Sequence, residues 1–276
     1  RPMRGRGETP VSIAALAENR HRANARGAVV ITLDIERLPG QASVPFWTLG
    51  DYKNRRIHAK HVTEYPRNIC MAWRRYGRKP VEFAAEWETG REDFIRKTWE
   101  VVNQADIIVG HNVASFDLKK LKSEWLQLGL PPTRPVKIVD TLTIARREFG
   151  FESNTLDALC TQLGLPGKVA AYDPERALRA VEGSKTDQRY LMRYNKGDIE
   201  ASEWLLDRLR PYVSNHPFMG HAGDDKLCNR CNGDLKLVPG AYRAVVIDYA
   251  LYQCVDCGGY SRGGWQSRAS LIRGVK

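Results

Sequence analysis

No stretch of the sequence approaches the roughly 20 apolar residues a membrane-spanning helix needs, so no membrane partner is expected. The first ten residues, RPMRGRGETP, are basic and lack the apolar core of a secretory signal. They read as a loose leading arm of a cytosolic protein. No internal repeat is evident, so the elements have to be taken one by one. Cysteine is scarce through most of the chain. Cys70 and Cys160 stand alone in apolar surroundings, as small core residues do. Negative charge is the minority, with 32 Asp and Glu against 43 Lys and Arg.

Across 276 residues the net charge is +11, and the pI is about 9.5. A surplus of that size favours an anionic partner, nucleic acid first. Between Asp51 and Pro80 the basic residues include Arg67, Arg74, Arg75 and Arg78, with Tyr52, Tyr65, Trp73 and Tyr76 interleaved. Cations neutralise phosphates and aromatic rings stack on unpaired bases. Core aromatics with a solvated basic rim would give the same pattern. A hydrophobic fraction of 42% is enough for a full core in a soluble protein.

Residues 11–26 have helical composition, with Gly27 as a stop. Strands are expected over 28–35, 46–49, 69–73 and 81–87. The rhythm then changes to helix 92–104, strand 106–112, helix 116–128 and strand 136–140. Helices follow at 141–148, 155–163, 174–182 and 187–210. Strands first, then alternating strand and helix, indicate an α/β domain with a mixed sheet. Residues 210–226 carry two prolines and two glycines and break the pattern. The boundaries drawn are an arm at 1–27, a main domain at 28–213, a linker at 214–226 and a small module at 227–276.

Three places set acids where metal chemistry can use them. In TLDIER, Asp34 and Glu36 lie two apart at the end of an apolar strand and share one face. Carboxylates that close raise each other's pKa unless a cation lies between them. Asp117 follows the strand 106–112 at a helix start. Asp198 lies four residues after Tyr194 on the long helix, so both face one side. Mg²⁺ prefers oxygen ligands of this kind, and two such ions can clamp the attacking and leaving oxygens of a phosphodiester. Each piece alone has a plainer reading: a solvated turn, an N-cap, helix packing. Asp140 and Asn154 read as helix caps, His111 as a polar residue capping a strand end, and His58 and His61 as surface.

The sequences LDIE (33–36), HNVASFD (111–117) and YNKGD (194–198), in that order, resemble the three motifs of the DEDD exonucleases of the ribonuclease H-like fold. The subclass is the one with Tyr in the third motif, and the likeness covers roughly 28–213. The style of RNICMAWRRYG and FGFESNTLDALCTQLGLPGK is similar to phage-encoded DnaQ-like exonucleases, which would place the protein in a host cytoplasm. The resemblance implies 3′–5′ hydrolysis of DNA, or of RNA, with two Mg²⁺ or Mn²⁺ held by Asp34, Glu36, Asp117 and Asp198. Tyr194 would position the water and Phe116 would pack beneath the second motif. Arg37, Asn112, Arg74, Arg75 and Lys168 are the candidate nucleic-acid contacts. Replication or repair proteins are candidate partners. The rival readings are a structure-specific endonuclease on the same fold and a non-catalytic nucleic-acid-binding adaptor.

The remaining cysteines form two C-x₂-C pairs, Cys228/Cys231 and Cys254/Cys257, with 22 residues between them. That spacing suits four thiolates on one structural Zn²⁺, a zinc ribbon. Asn232-Gly233 and Gly258-Gly259 follow the pairs as turns, and AVVIDYALYQC reads as hairpin strand. A cytosolic chain argues against disulfides. Arg230, Arg243, Arg262, Arg268 and Arg273, with Tyr260 and Trp265, surround the module. They suit either nucleic acid or a protein partner.

Overall fold

The computed structural model describes residues 27–45, 56–167, 171–219, 227–244 and 247–268. The helix expected over 11–26, the strand over 46–49, Tyr52, Lys168, Arg273 and residues 220–226 of the expected linker lie outside the described residues.

The main sheet is built from β1 (Val30–Leu38), β4 (Arg67–Arg75), β5 (Glu82–Ala85), β6 (Ile107–Gly110) and β7 (Lys137–Asp140). Between β1 and β4, β2 (Gln41–Ala42) and β3 (Val62–Glu64) pair as a short separate ribbon. The order is β5-β4-β1-β6-β7, with β4 and β5 antiparallel and β6 and β7 parallel to β1. Parallel neighbours need crossovers, and helices supply them. The helices are α1 (Glu86–Thr89), α2 (Arg91–Asn103), α3 (Asp117–Gln127), α4 (Thr141–Glu148), α5 (Leu156–Gln162), α6 (Pro174–Val181) and α7 (Lys185–Leu209); α2 leads into β6 and α3 into β7, while α4 to α7 follow the last strand of this sheet. This mixed sheet flanked by helices is an α/β architecture, consistent with the ribonuclease H-like fold that the sequence motifs resemble. The segment expected as strand 81–87 divides instead, its second half turning into α1. No helix among the described residues is long and apolar enough to cross a membrane.

Alternation along β1 decides what each face receives. Ile31, Leu33 and Ile35 point into a core shared with Phe94 and Val102 of α2 and with Leu118, Leu121 and Trp125 of α3. Thr32, Asp34 and Glu36 take the other face, where α7 crosses the sheet. Ser184 caps α7 by accepting from Asp187 N–H. Through its middle, α7 buries a polar seam of Asn195, Asp198, Ser202, Glu203 and Asp207.

The centre of that seam is an ion pair. Glu203, fully buried, accepts from Thr32 Oγ1 at 2.9 Å and from Arg74 Nε at 2.9 Å, with a second bond from the same guanidinium. The β1–β4 register sets Arg74 directly opposite Thr32, so both reach the same helix. The expectation that Arg74 contacts nucleic acid is therefore corrected: it is 5% exposed and paired inside the fold. Arg75 is paired with Ile31 and faces the opposite side of the sheet from the carboxylates. Trp73 and Tyr76 are core residues, so for these two rings the packing reading holds over the stacking one, whereas Tyr65 is exposed.

A second sheet, in the order β10-β9-β8, is antiparallel: β8 (Leu235–Arg243), β9 (Ile247–Cys254) and β10 (Tyr260–Arg268). Arg230 joins it to the main domain. It is buried and donates from Nε to Val213 O at 2.6 Å, which removes it from the expected basic surface. Nearby, Ala28 N–H donates to Met219 O at 2.9 Å. Gly27 has to be glycine there, because a Cβ would lie 1.7 Å from Met219 O.

Removing one partner of a buried pair strands the other charge at a cost of about 3–5 kcal/mol. Glu203→Ala is expected to lose stability on that scale in urea unfolding. Arg74→Met combined with Glu203→Leu is expected to recover most of the loss. Equal loss in the single and double variants would contradict the pairing.

Candidate active site

β1 carries Asp34 and Glu36 to the edge of a cleft, and α7 brings Asp198 to them. One ligand oxygen from each of the three lies within 4.8 Å of the others. Glu36 and Asp198 are buried, and Asp34 is half-buried. Asn195, one turn before Asp198, donates from Nδ2 to Asp34 Oδ2 at 2.6 Å and to Asp34 O at 3.1 Å. The same helix thus supplies a carboxylate and orients another.

Asp117 arrives from the β6–α3 loop. It does not cap α3. Its Oδ1 accepts from Ile35 N–H at 3.1 Å, the residue between Asp34 and Glu36. It is docked beside the group of three rather than among them. Burial pushes its carboxyl up to about 7, and the nearby Asp140 charge adds to this. Hydrogen bonds from Ile35 and from its own backbone N–H pull the other way.

The loop preceding Asp117 is held tightly. At Gly110 a Cβ would come 3.0 Å from Leu33 O and 2.7 Å from Val113, so the backbone can pass β1 only without a side chain. Asn112 takes the left-handed conformation with φ 64°. Asp140 accepts from Asn112 N–H and Ala114 N–H at 3.0 Å each, and caps α4 through Leu142 and Thr143. His111 bridges Thr141 Oγ1 at 2.9 Å and Asn154 O at 3.0 Å. Thr155, not Asn154, caps α5.

The cleft measures about 1040 Å³. Asp34, Asn112, Tyr194 and Asp198 line it, together with His111, Arg146, Asn154 and Tyr172. The rings of Tyr172 and Tyr194 stand 6.3 Å apart. Tyr172 donates its hydroxyl to Arg37 O, and burial beside Glu36 pushes that phenol up to about 12. Arg37 turns its guanidinium to Pro66 O at 2.7 Å, and burial lowers its pKa. Phe116 does not pack beneath the motif: it is 41% exposed. Arg146 and Tyr172 were not foreseen. Arg146 and Arg147 are adjacent in sequence, and only the rotation of α4 sends one to the cleft and the other to Glu148.

The four clustered cysteines form a second group. Their sulfurs lie within 4.8 Å of one another, with Cys228–Cys257 at 3.8 Å and Cys231–Cys254 at 3.5 Å. A tetrahedron with metal–sulfur bonds of about 2.3 Å has edges of about 3.8 Å, so a tetrathiolate metal site fits. The two turns are built alike. Cys228 N–H donates to Gly233 O and Asn232 N–H to Cys228 O; Cys254 N–H donates to Gly259 O and Gly258 N–H to Cys254 O. Asn232 and Gly258 hold the positive φ of each turn, at 60° and 74°. Cys257 N–H points at Cys254 Sγ from 3.5 Å.

No family model matches the chain. No curated protein matches it either. Among solved structures, it is similar to the family B DNA polymerase from the hyperthermophilic archaeon Pyrobaculum calidifontis, with 18% identity and a TM-score of 0.49. The match covers 66% of this chain and 24% of the polymerase, so the chain spans about a quarter of that protein.

An acid whose folded pKa is raised contributes most below its unfolded value near 3.8, and that contribution is lost as pH rises through about 7. Without added divalent ions, the thermal midpoint is expected to fall between pH 4 and 7 for this reason. Asp117→Asn is expected to flatten that fall. A profile identical in the variant would remove Asp117 as its source.

Proposed function

We propose that the chain is a metal-dependent 3′–5′ exonuclease acting on DNA or RNA, with a C-terminal zinc ribbon. One observation carries the reading: three acids from β1 and α7 converge within 4.8 Å beside an open cleft. Like charges that close are stable when a cation neutralises them, and an all-oxygen set selects a hard one such as Mg²⁺ or Mn²⁺. Asp34, Glu36 and Asp198 would hold it, with Asp117 alongside for a second. When bound, the ions would supply Lewis acidity on both sides of the scissile phosphate.

The chain's own groups do the positioning. Asn195 fixes the Asp34 carboxylate. Tyr194 lines the cleft with Asp34 and Asp198 and offers a hydroxyl to orient the attacking water. Arg146 offers a guanidinium to a phosphate, and Tyr172 a ring to a base. The 3′–5′ direction rests on the resemblance of the three motifs. Residues 28–213 form the nuclease in this reading, 214–226 the linker, and 227–276 the ribbon around one structural Zn²⁺.

Asp34→Ala and Asp198→Ala are each expected to lower Mg²⁺- or Mn²⁺-dependent release of mononucleotides from an end-labelled oligonucleotide by at least about 100-fold. Tyr194→Phe is expected to lose about 10- to 100-fold. A blocked 3′ end is expected to stall the enzyme. Full activity in either Asp variant sinks the mechanism, cleavage past the block makes it an endonuclease, and no release under any metal makes it an adaptor. Metal analysis is expected to find one zinc per chain, lost in Cys231→Ser together with hydrogen-exchange protection of β8–β10.

A further inference from the structure

The three-stranded sheet has a face that neither the metal site nor its packing uses. Residues paired across strands point to the same side of a sheet. Tyr242 is paired with Tyr249, Leu251 with Arg262, Gln253 with Tyr260, and Lys236 with Gln253. One face therefore carries three tyrosines, an arginine and a lysine. Tyr242 is 49% exposed and Tyr260 54%. The Arg262 guanidinium lies 4.4 Å from the centre of the Tyr249 ring and 5.9 Å from that of Tyr242. The two rings stand 6.3 Å apart. Arg262 has no carboxylate partner among the described residues, whereas Asp248 is already held by Arg243.

This face borders a groove of about 400 Å³ that is closed on its other side by Ser214, Asn229 and the buried Arg230. Exposed rings on a sheet, interleaved with unneutralised cations, match the needs of unpaired bases and their phosphates. A duplex keeps its bases stacked and cannot offer them to the rings. The net charge of +11 points to the same polyanionic class of partner.

We infer that the face bearing Tyr242, Tyr249, Tyr260 and Arg262 is a binding site for single-stranded nucleic acid, separate from the carboxylate cleft. The inference stands without hydrolysis, so its outcome is independent of the nuclease reading.

The test is fluorescence anisotropy of a labelled twelve-residue oligothymidylate with the full-length, zinc-loaded chain and no added Mg²⁺ or Mn²⁺. Tyr242→Ala and Tyr260→Ala are each expected to weaken binding by about 5- to 150-fold, and Tyr260→Phe to restore it. Arg262→Gln is expected to lower the slope of log affinity against log salt by about 0.7. Zinc content checks that the module remains folded. Photo-cross-linking of the wild-type chain to an oligonucleotide carrying 5-iodouracil supplies a readout free of variants. Adducts on Tyr242, Tyr249 or Tyr260 support the site. Adducts confined to Tyr172 and Tyr194 overturn it. Unchanged affinity in all three face variants also overturns it and leaves a protein as the occupant of that surface.

Discussion

The docking of α7 across β1 and β4 is the constraint on which the rest depends. It is made by polar contacts inside the fold, not by an apolar stripe alone. Glu203 holds Arg74 and Thr32, and Asn195, about 12 Å nearer the start of the helix, holds Asp34. A buried pair of this kind adds little net stability, because desolvation offsets its attraction. It does penalise any other register, since each misplacement would strand a charge. The register matters because Tyr194, Asn195 and Asp198 reach the cleft only when the helix lies at this height and rotation.

The acidic cluster follows from that placement. Period-two alternation puts Asp34 and Glu36 on the face α7 covers, and Asp198 descends onto them. Asp117 reaches the same strand by a different route, through a loop that needs a side-chain-free Gly110 and a carboxylate clasp from Asp140. Four acids from three elements converge around one strand end. The three that lie within 4.8 Å of one another could hold a cation, which would offset their mutual repulsion.

The cysteine module is organised by different physics. Its two turns repeat one hydrogen-bond pattern, and the thiol tetrahedron sits between them. Little apolar core lies behind it: the cluster of buried residues there is the cysteines themselves, with Leu235 packed alongside. Arg230 links the module to the main domain through the Val213 carbonyl, so it is not suspended on a free tether. That anchorage holds the tyrosine-lined sheet face and its groove in a definite relation to the segment after α7.

Local chemistry was legible in the chain. The alternation of β1, the helical stripes of α2 and α3, the helix at 141–148 and the C-x₂-C spacing are short-range patterns, and the elements formed where those patterns indicated. The acidic stretches around Asp34, Asp117 and Asp198 stood out because their composition and order are properties of the sequence. Tertiary structure alone decided which cations are buried. Arg74 and Arg75 are neighbours, yet one pairs with Glu203 across 129 residues and the other faces the opposite layer. Phe116 looked apolar and proved exposed, while Tyr172 and Arg146 entered the cleft unannounced. Those outcomes depend on strand register and helix rotation, which long-range packing sets and which no local pattern records.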